Sequence, residues 1–174
     1  MRSDMAPMST KLLRRMIAGL GILVVDDNAH MRKITRMMLT NLGAKSVFEV
    51  ADGVSALEAI RTFDPDVMVL DWDMPGLNGR DVMRIVRSPS VSPKPTLPVI
   101  VLMAFPQRGC VSEAIRLGAH EFLSKPTSPK ALHDRLLSII AVPRPMVRLG
   151  DYYVPLPRDP IMRKTLLQRG RSAR

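Results

Sequence analysis

Short apolar runs alternate along the chain with longer segments whose apolar residues recur at helical spacing. A short apolar run bounded by polar residues predicts a buried strand, and recurrence every three or four residues predicts an amphipathic helix. The runs predict strands over residues 22–25, 46–50, 66–70, 99–103 and 120–124. The other segments predict helices over residues 29–42, 54–63, 79–87, 107–117 and 129–142. This alternation is typical of βαβ units and predicts an α/β fold with a parallel sheet.

Charged residues follow three of the five predicted strands. Asp26 and Asp27 come directly after the first strand, Asp71 after the third, and Lys125 after the fifth. One such residue on its own is ordinarily a turn or cap residue. Because the carboxyl ends of parallel strands open onto one crevice, we expect these four side chains to meet there.

Carboxylates held close together repel one another, and a divalent cation relieves that repulsion. Mg²⁺ prefers oxygen ligands and keeps several of its waters, so we predict a Mg²⁺ site. Asp27 and Asp71 would bind the ion directly, and Asp26 through a water. Asp71 is the candidate nucleophile, since a carboxylate can attack phosphorus to give an aspartyl phosphate. Lys125 would pair with the phosphoryl oxygens as a point charge.

The segments that carry these residues resemble the receiver domain of two-component response regulators. They read ILVVDDNAHMRK, VMVLDWDMPGLNGRDVM and FLSKP, in the family's order, and the resemblance covers roughly residues 21–141. The separations are also typical: 44 residues from Asp27 to Asp71, and 54 from Asp71 to Lys125.

The resemblance implies a flavodoxin-like, doubly wound, five-stranded parallel sheet of order 2-1-3-4-5, with helices on both faces. It adds the backbone carbonyl of Asp73 as a metal ligand. It implies a single-domain receiver, similar to the chemotaxis regulators, that takes its phosphoryl group from a sensor histidine kinase or a phosphotransfer protein. The downstream protein would bind the face formed by residues 107–117, 120–124 and 129–142. Such a domain catalyses its own phosphorylation and is not an enzyme with a separate substrate.

One position departs from the family. Receivers normally carry Ser or Thr at the end of the fourth strand, and its hydroxyl binds the phosphoryl group when the domain switches. Here that position is Met103, and residues 99–105 contain no hydroxyl group. A thioether cannot donate a hydrogen bond. The aromatic residue that accompanies the switch is present as Phe122.

The basic character of the chain lies at its ends. The net charge is +10, with four basic and one acidic residue in residues 1–20 and eight basic and two acidic in residues 143–174. We therefore divide the chain into a basic lead (1–20) that is helical before the first strand, a receiver domain (21–142), and a disordered tail rich in proline and arginine (143–174) with a short helix over 161–168. The tail carries no recognised nucleic-acid-binding module, which disfavours DNA or RNA binding.

The remaining composition bears on the compartment. The single cysteine, Cys110, excludes an internal disulfide framework and fits a reducing, cytoplasmic setting. The apolar stretch before Asp26 is too short to span a bilayer.

Two function classes remain open. The first is a stand-alone phosphoacceptor in a two-component phosphorelay that signals through protein contacts, since the 32 residues of the tail are too few for an output domain. The second is a binding module of receiver fold whose partner contacts do not depend on phosphorylation. The acidic cluster and Lys125 favour the first, and Met103 favours the second.

Overall fold

The computed structural model describes residues 10–171, with side chains described for residues 11–168. It confirms the predicted parallel sheet, whose strands lie in the order β2-β1-β3-β4-β5. The strands are β1 (Gly21–Val25), β2 (Ser46–Val50), β3 (Val67–Asp71), β4 (Val99–Met103) and β5 (Glu121–Ser124). The strands β3 and β4 are buried along their whole length, which explains why they read as continuous apolar runs.

Helices flank the sheet on both faces, as predicted. They are α1 (Thr10–Ala18), α2 (Ala29–Leu42), α3 (Gly53–Phe63), α4 (Gly79–Arg87), α5 (Arg108–Arg116), α6 (Pro129–Ala141) and α7 (Pro160–Arg171). Local signals fix several ends. Asn28 caps α2 by accepting hydrogen bonds from the N–H groups of His30 and Met31, and Gly43 follows that helix at φ 111°.

Each strand sends alternate side chains into two separate cores. In β1, Leu23 and Val25 join the core beneath α3, α4 and α5, whereas Ile22 and Val24 join the core beneath α1, α2 and α6. Residues one apart on a strand point to opposite faces of the sheet, so one apolar strand supplies both cores. The two cores hold the sheet between its helical layers and fix where the strand ends lie.

The segment after α6 differs from the predicted disordered tail. It contains an antiparallel hairpin, β6 (Met146–Leu149) and β7 (Tyr152–Pro155), which turns at Gly150 with φ 58° and is followed by α7. The hairpin packs against α4, and Val154 is buried. The prolines lie outside or at the ends of these elements, where they do not break a backbone hydrogen bond. The prediction of disorder from proline content was therefore wrong for these elements.

The helical lead is confirmed as α1, and the helix predicted over 161–168 lies within α7. Residues 1–9 of the basic lead and 172–174 of the tail lie outside the described part of the chain. The division into lead, receiver and tail stays a prediction. Within residues 10–171, no helix combines the length and the apolar character that crossing a bilayer requires.

Candidate functional site

The four charged residues predicted at the strand ends meet at the carboxyl edge of the sheet. Asp26 and Asp27 follow β1, Asp71 is the last residue of β3, and Lys125 follows β5. The strands β1 and β3 are neighbours, and β5 lies two strands beyond β3 at the edge of the sheet. The side chain of Lys125 spans the intervening strand to reach both carboxylates.

Lys125 forms two ion pairs across this crevice. Its Nζ lies 2.8 Å from Oδ2 of Asp26 and 2.8 Å from Oδ2 of Asp71. Asp26 and Asp71 are both buried, and the lysine side chain is 16% exposed. Their other oxygens accept backbone N–H groups, Asp26 from Asn28 at 2.9 Å and Asp71 from Asp73 at 3.2 Å. Two buried carboxylates thus share one ammonium group, which leaves the cluster with a net negative charge.

Burial and charge shift the pKa values of this cluster. Burial raises the pKa of Asp71 above its usual value, the nearby charge of Asp26 raises it further, and the hydrogen bond and charge of Lys125 oppose both effects. Burial alone would lower the pKa of Lys125, but its hydrogen bonds to Asp26 and Asp71 and their charges raise it overall. Lys125 therefore keeps its positive charge at neutral pH. Any further positive charge nearby would stabilise the ionised form of Asp71.

The acidic residues have a geometry suited to a cation. Asp26, Asp27 and Asp71 can each place a carboxylate oxygen within 4.8 Å of the others. Asp26 and Asp71 are buried, whereas Asp27 is exposed, so the cluster is open to solvent on one side. Hard oxygen donors in a site that leaves room for waters suit Mg²⁺. The structure brings these residues together, and the Mg²⁺ itself, with its carbonyl ligand from Asp73, stays a prediction.

The loop after Asp71 is held close to the start of α4. The N–H of Gly79 donates to the carbonyl of Trp72 at 3.2 Å. A Cβ atom at Gly79 would lie 2.7 Å from the carbonyl oxygen of Asp71 and 2.8 Å from the Cα of Trp72. Real Cβ atoms do not approach so closely, so this position requires glycine. Gly79 therefore fixes the backbone that carries Asp71.

Met103 occupies the end of β4 beside this crevice. Its side chain is 1% exposed and belongs to the same buried core as Trp72. Its carbonyl accepts the N–H of Lys125 at 2.7 Å. Phe122 is partly buried and packs against that core. Met103 therefore supplies packing and a backbone acceptor at this position but no side-chain hydrogen-bond donor. The switch role of both residues stays a prediction.

Two buried polar residues outside the crevice are an arrangement that sequence analysis missed. Arg87, at the end of α4, is 1% exposed and donates to the carbonyls of Gly118 and Pro95 and towards Nδ1 of His120. The only local signal for the burial of His120 is its place at the start of a predicted strand. Nothing in the local sequence marks Arg87 as buried.

Comparison with known proteins agrees with the fold. Residues 22–137 match the family model of the response regulator receiver domain. The chain is 34% identical over 115 residues to chemotaxis protein CheY-3 of Vibrio cholerae, which covers 66% of this chain and 87% of that protein. It is 34% identical over 118 residues to chemotaxis protein CheY of Pseudomonas aeruginosa, which covers 68% of this chain and 94% of that protein. The receiver domain of Francisella response regulator 1452 matches with a TM-score of 0.64 and 28% identity, covering 71% of this chain and 98% of that one.

Proposed function

This chain belongs to the response regulator receiver family, and we propose that it accepts a phosphoryl group on Asp71 in a two-component phosphorelay. The observation that carries the proposal is the position of the Lys125 ammonium, whose Nζ lies 2.8 Å from Oδ2 of Asp26 and 2.8 Å from Oδ2 of Asp71. The crevice that holds it is accessible to solvent at the exposed Asp27. A buried carboxylate at a strand end, beside a fixed cation and further acidic ligands, is suited to attack on phosphorus.

The proposed reaction forms one bond and breaks one. An oxygen of the Asp71 carboxylate attacks the phosphorus of a partner's phosphohistidine. The phosphorus–nitrogen bond breaks, and its electron pair stays on the imidazole nitrogen. Lys125 releases Asp71 from its ion pair and binds a phosphoryl oxygen instead, which keeps its positive charge beside the transferred group.

The residues that would hold Mg²⁺ are Asp26, Asp27 and Asp71, with the backbone carbonyl of Asp73. When bound, the ion supplies positive charge that offsets the negative charge of the phosphoryl group during transfer. The chain is then a phosphoacceptor that catalyses its own modification and does not turn over a separate substrate. The proposed phosphodonors are a sensor histidine kinase, a phosphotransfer protein or a small phosphodonor, in the cytoplasm.

The proposed surface for a downstream protein partner is the face of α5, β5 and α6. This surface differs from a bare receiver face because the segment after α6 already contacts it. Arg158 pairs with Glu121 of β5 at 3.3 Å and donates to Ser138 of α6. Arg144 donates to the carbonyl of His120 just before β5. A partner on this face would therefore contact residues of both the sheet and the C-terminal segment.

A second function is favoured by Met103. Because this side chain is buried and cannot donate a hydrogen bond, a phosphoryl group on Asp71 lacks the hydroxyl that normally links phosphorylation to the switch. A hydrogen bond to a charged acceptor contributes roughly 1.5–3 kcal/mol, a large part of a conformational equilibrium of a few kcal/mol. Under this alternative the chain is a receiver-fold binding module whose partner contacts do not require phosphate.

The test of the phosphoacceptor proposal is incubation with acetyl phosphate and Mg²⁺, followed by intact-mass measurement. We expect a base-labile mass gain of one phosphoryl group, which Asp71→Ala abolishes. Asp134→Ala is the matched control, since this carboxylate is exposed on α6 and pairs with Lys130. A mass gain that persists in Asp71→Ala, or that Asp134→Ala removes equally, would place the modification elsewhere.

A further inference from the structure

A second concave site lies at the amino end of β5, whereas the acidic crevice lies beyond its carboxyl end. It has a volume of about 280 Å³ and lies between β5 and the segment that follows α6. The segment supplies one wall through Arg144, Pro155, Arg158 and Met162, and the receiver supplies the other through Ile115, His120 and Phe122. The cavity exists because residues 143–162 fold back onto β5, and a disordered segment would not form it.

Much of the lining is apolar. Ile115 of α5 and Met162 of α7 are 53% and 65% exposed, although both are large hydrophobic residues, and Phe122 of β5 is partly buried. Pro155 lies at the end of β7 and borders the same space. Small-molecule sites combine such apolar walls with a few polar groups that fix the orientation of the ligand. The apolar walls therefore suit a compact hydrophobic body.

Arg144 has N–H groups beside this cavity that make no hydrogen bond within residues 11–168. Arg144 is half-buried and donates through Nη2 to the carbonyls of Ala119 and His120. Within residues 11–168 it forms no ion pair with a carboxylate, and burial lowers its pKa. Its Nε and Nη1 make no hydrogen bond in that part of the chain. A guanidinium group carries five N–H donors, so Arg144 retains unused donors beside the cavity.

The two acidic groups of the lining, Glu121 and Asp159, make most of their contacts within the chain. The Oε1 atom of Glu121 accepts Ser138 at 2.7 Å and Arg158 at 3.3 Å, and its Oε2 lies 3.5 Å from Arg135. Oδ1 of Asp159 caps α7 by accepting the N–H groups of Ile161 and Met162. Oδ2 of this exposed residue is therefore the one carboxylate oxygen of the lining without a partner within residues 11–168, whereas Arg144 has unused N–H groups on two of its nitrogens.

A second positive charge lies behind the cavity wall. Nδ1 of His120 accepts the N–H of Val99 at 3.3 Å and lies 3.4 Å from Nη2 of Arg87. The proton of the neutral ring is then on Nε2, which makes no hydrogen bond among residues 11–168. Burial lowers the pKa of Arg87 to about 9, so the guanidinium stays charged at neutral pH. No carboxylate of the described chain pairs with Arg87, so its field at the cavity is not cancelled locally.

From this geometry we propose that the cavity between β5 and the C-terminal segment binds a small organic acid, in which one anionic group is joined to an apolar body. The anionic group, a carboxylate, sulfonate or phosphate ester, accepts hydrogen bonds from Arg144 with His120 beside it. The apolar body lies against Phe122, Ile115 and Met162. The site is separate from Asp71, and its occupation does not require phosphorylation.

The test uses two fluorescent probes that share one ring system. 1-Anilinonaphthalene-8-sulfonate carries an anionic group, and N-phenyl-1-naphthylamine is the same body without it. We expect the sulfonate to bind one site per chain and to bind roughly tenfold more tightly than the neutral probe, a ratio that one charge-assisted hydrogen bond supplies. Equal affinity for the two probes would overturn the proposal, because the cavity would then be merely apolar.

Three variants locate the site. Arg144→Gln should weaken binding of the sulfonate probe roughly tenfold and change binding of the neutral probe little. Arg148→Gln is the matched control, because this exposed arginine of β6 lies outside the lining and its loss removes the same charge. Met162→Trp places a larger side chain at the cavity from an exposed position on α7 and should weaken the binding of both probes. This variant tests the location of the site even if Arg144→Gln does not fold. Unchanged affinity in both Arg144→Gln and Met162→Trp would place the probe elsewhere and end the proposal.

Discussion

Replacing Lys125 with methionine removes the ammonium group that lies between two buried carboxylates. Asp26 is buried to 1% side-chain exposure and Asp71 to 4%, and each accepts Lys125 Nζ at 2.8 Å. Removing one partner of a buried ion pair costs about 3–5 kcal/mol because the remaining charge is left uncompensated. Protonation of Asp71, whose pKa burial already raises, limits the cost. We expect Lys125→Met to lose about 3 kcal/mol of unfolding free energy at pH 7 without Mg²⁺, which a domain of ordinary stability survives.

The sign of the pH dependence follows from the two pKa shifts. Without Lys125 the folded-state pKa of Asp71 rises further, so the penalty is largest at neutral pH and shrinks as pH falls through that folded pKa. In the unmodified chain the pKa of Lys125 is raised above its ordinary 10.5. Its contribution is therefore complete below pH 10.5 and is lost as pH rises through the folded value. The variant lacks that alkaline loss.

The assay is urea unfolding with EDTA at pH 5, at pH 7 and above pH 10.5, repeated at pH 7 with Mg²⁺. We expect Mg²⁺ to restore more stability to Lys125→Met than to the unmodified chain, since the ion replaces the missing positive charge. Lys130→Met is the matched control, because its ion pair with Asp134 is exposed to solvent and contributes little to stability. Equal stability of Lys125→Met and the unmodified chain at pH 7 in EDTA would refute the reasoning.

Three further changes test the crevice. Asp71→Asn should stabilise the fold by of order 1 kcal/mol at pH 7, because the raised pKa of this carboxyl means that its charge penalises the folded state above pH 3.8; urea unfolding that shows a loss would contradict this. We expect Mg²⁺ to raise the melting temperature and to change the fluorescence of Trp72, which directly follows Asp71. Asp27→Asn should weaken both responses, whereas an unaltered titration would remove Asp27 from the site. Met103→Thr should cost about 1–2 kcal/mol of packing and enlarge the amide shifts caused by beryllofluoride and Mg²⁺ over α5 to α6; shifts no larger than in the unmodified chain would show that the hydroxyl is dispensable.

The sequence by itself determined the receiver fold and the identity of the crevice residues. Buried parallel strands read as apolar runs, and the predicted bounds of α2, β2 and β4 are those of the structure. The strand ends place Asp26, Asp27, Asp71 and Lys125 at one edge in any sheet of this topology, so their proximity follows from element order alone. Helix caps such as Asn28 are equally local, since the capping side chain bonds to N–H groups two and three residues away.

Only the tertiary structure decided what spans distant parts of the chain. Lys125 and Asp26 are 99 residues apart, and no local pattern states that one ammonium would pair with both Asp26 and Asp71. Arg87 is buried because Gly118, Pro95 and His120 surround it with acceptors from separate elements. An arginine in a predicted helix is expected at the surface unless such acceptors are known.

The C-terminal segment shows the same division most clearly. Its four-residue strands are too short to be stable alone, and its prolines and arginines are typical of disorder. It is ordered because Val154 is buried against the receiver and because Arg144 and Arg158 donate to carbonyls and a carboxylate around β5. The segment makes those contacts with residues more than fifteen positions away along the chain. They form only when the receiver has folded, so the local sequence of the segment does not predict that it is ordered.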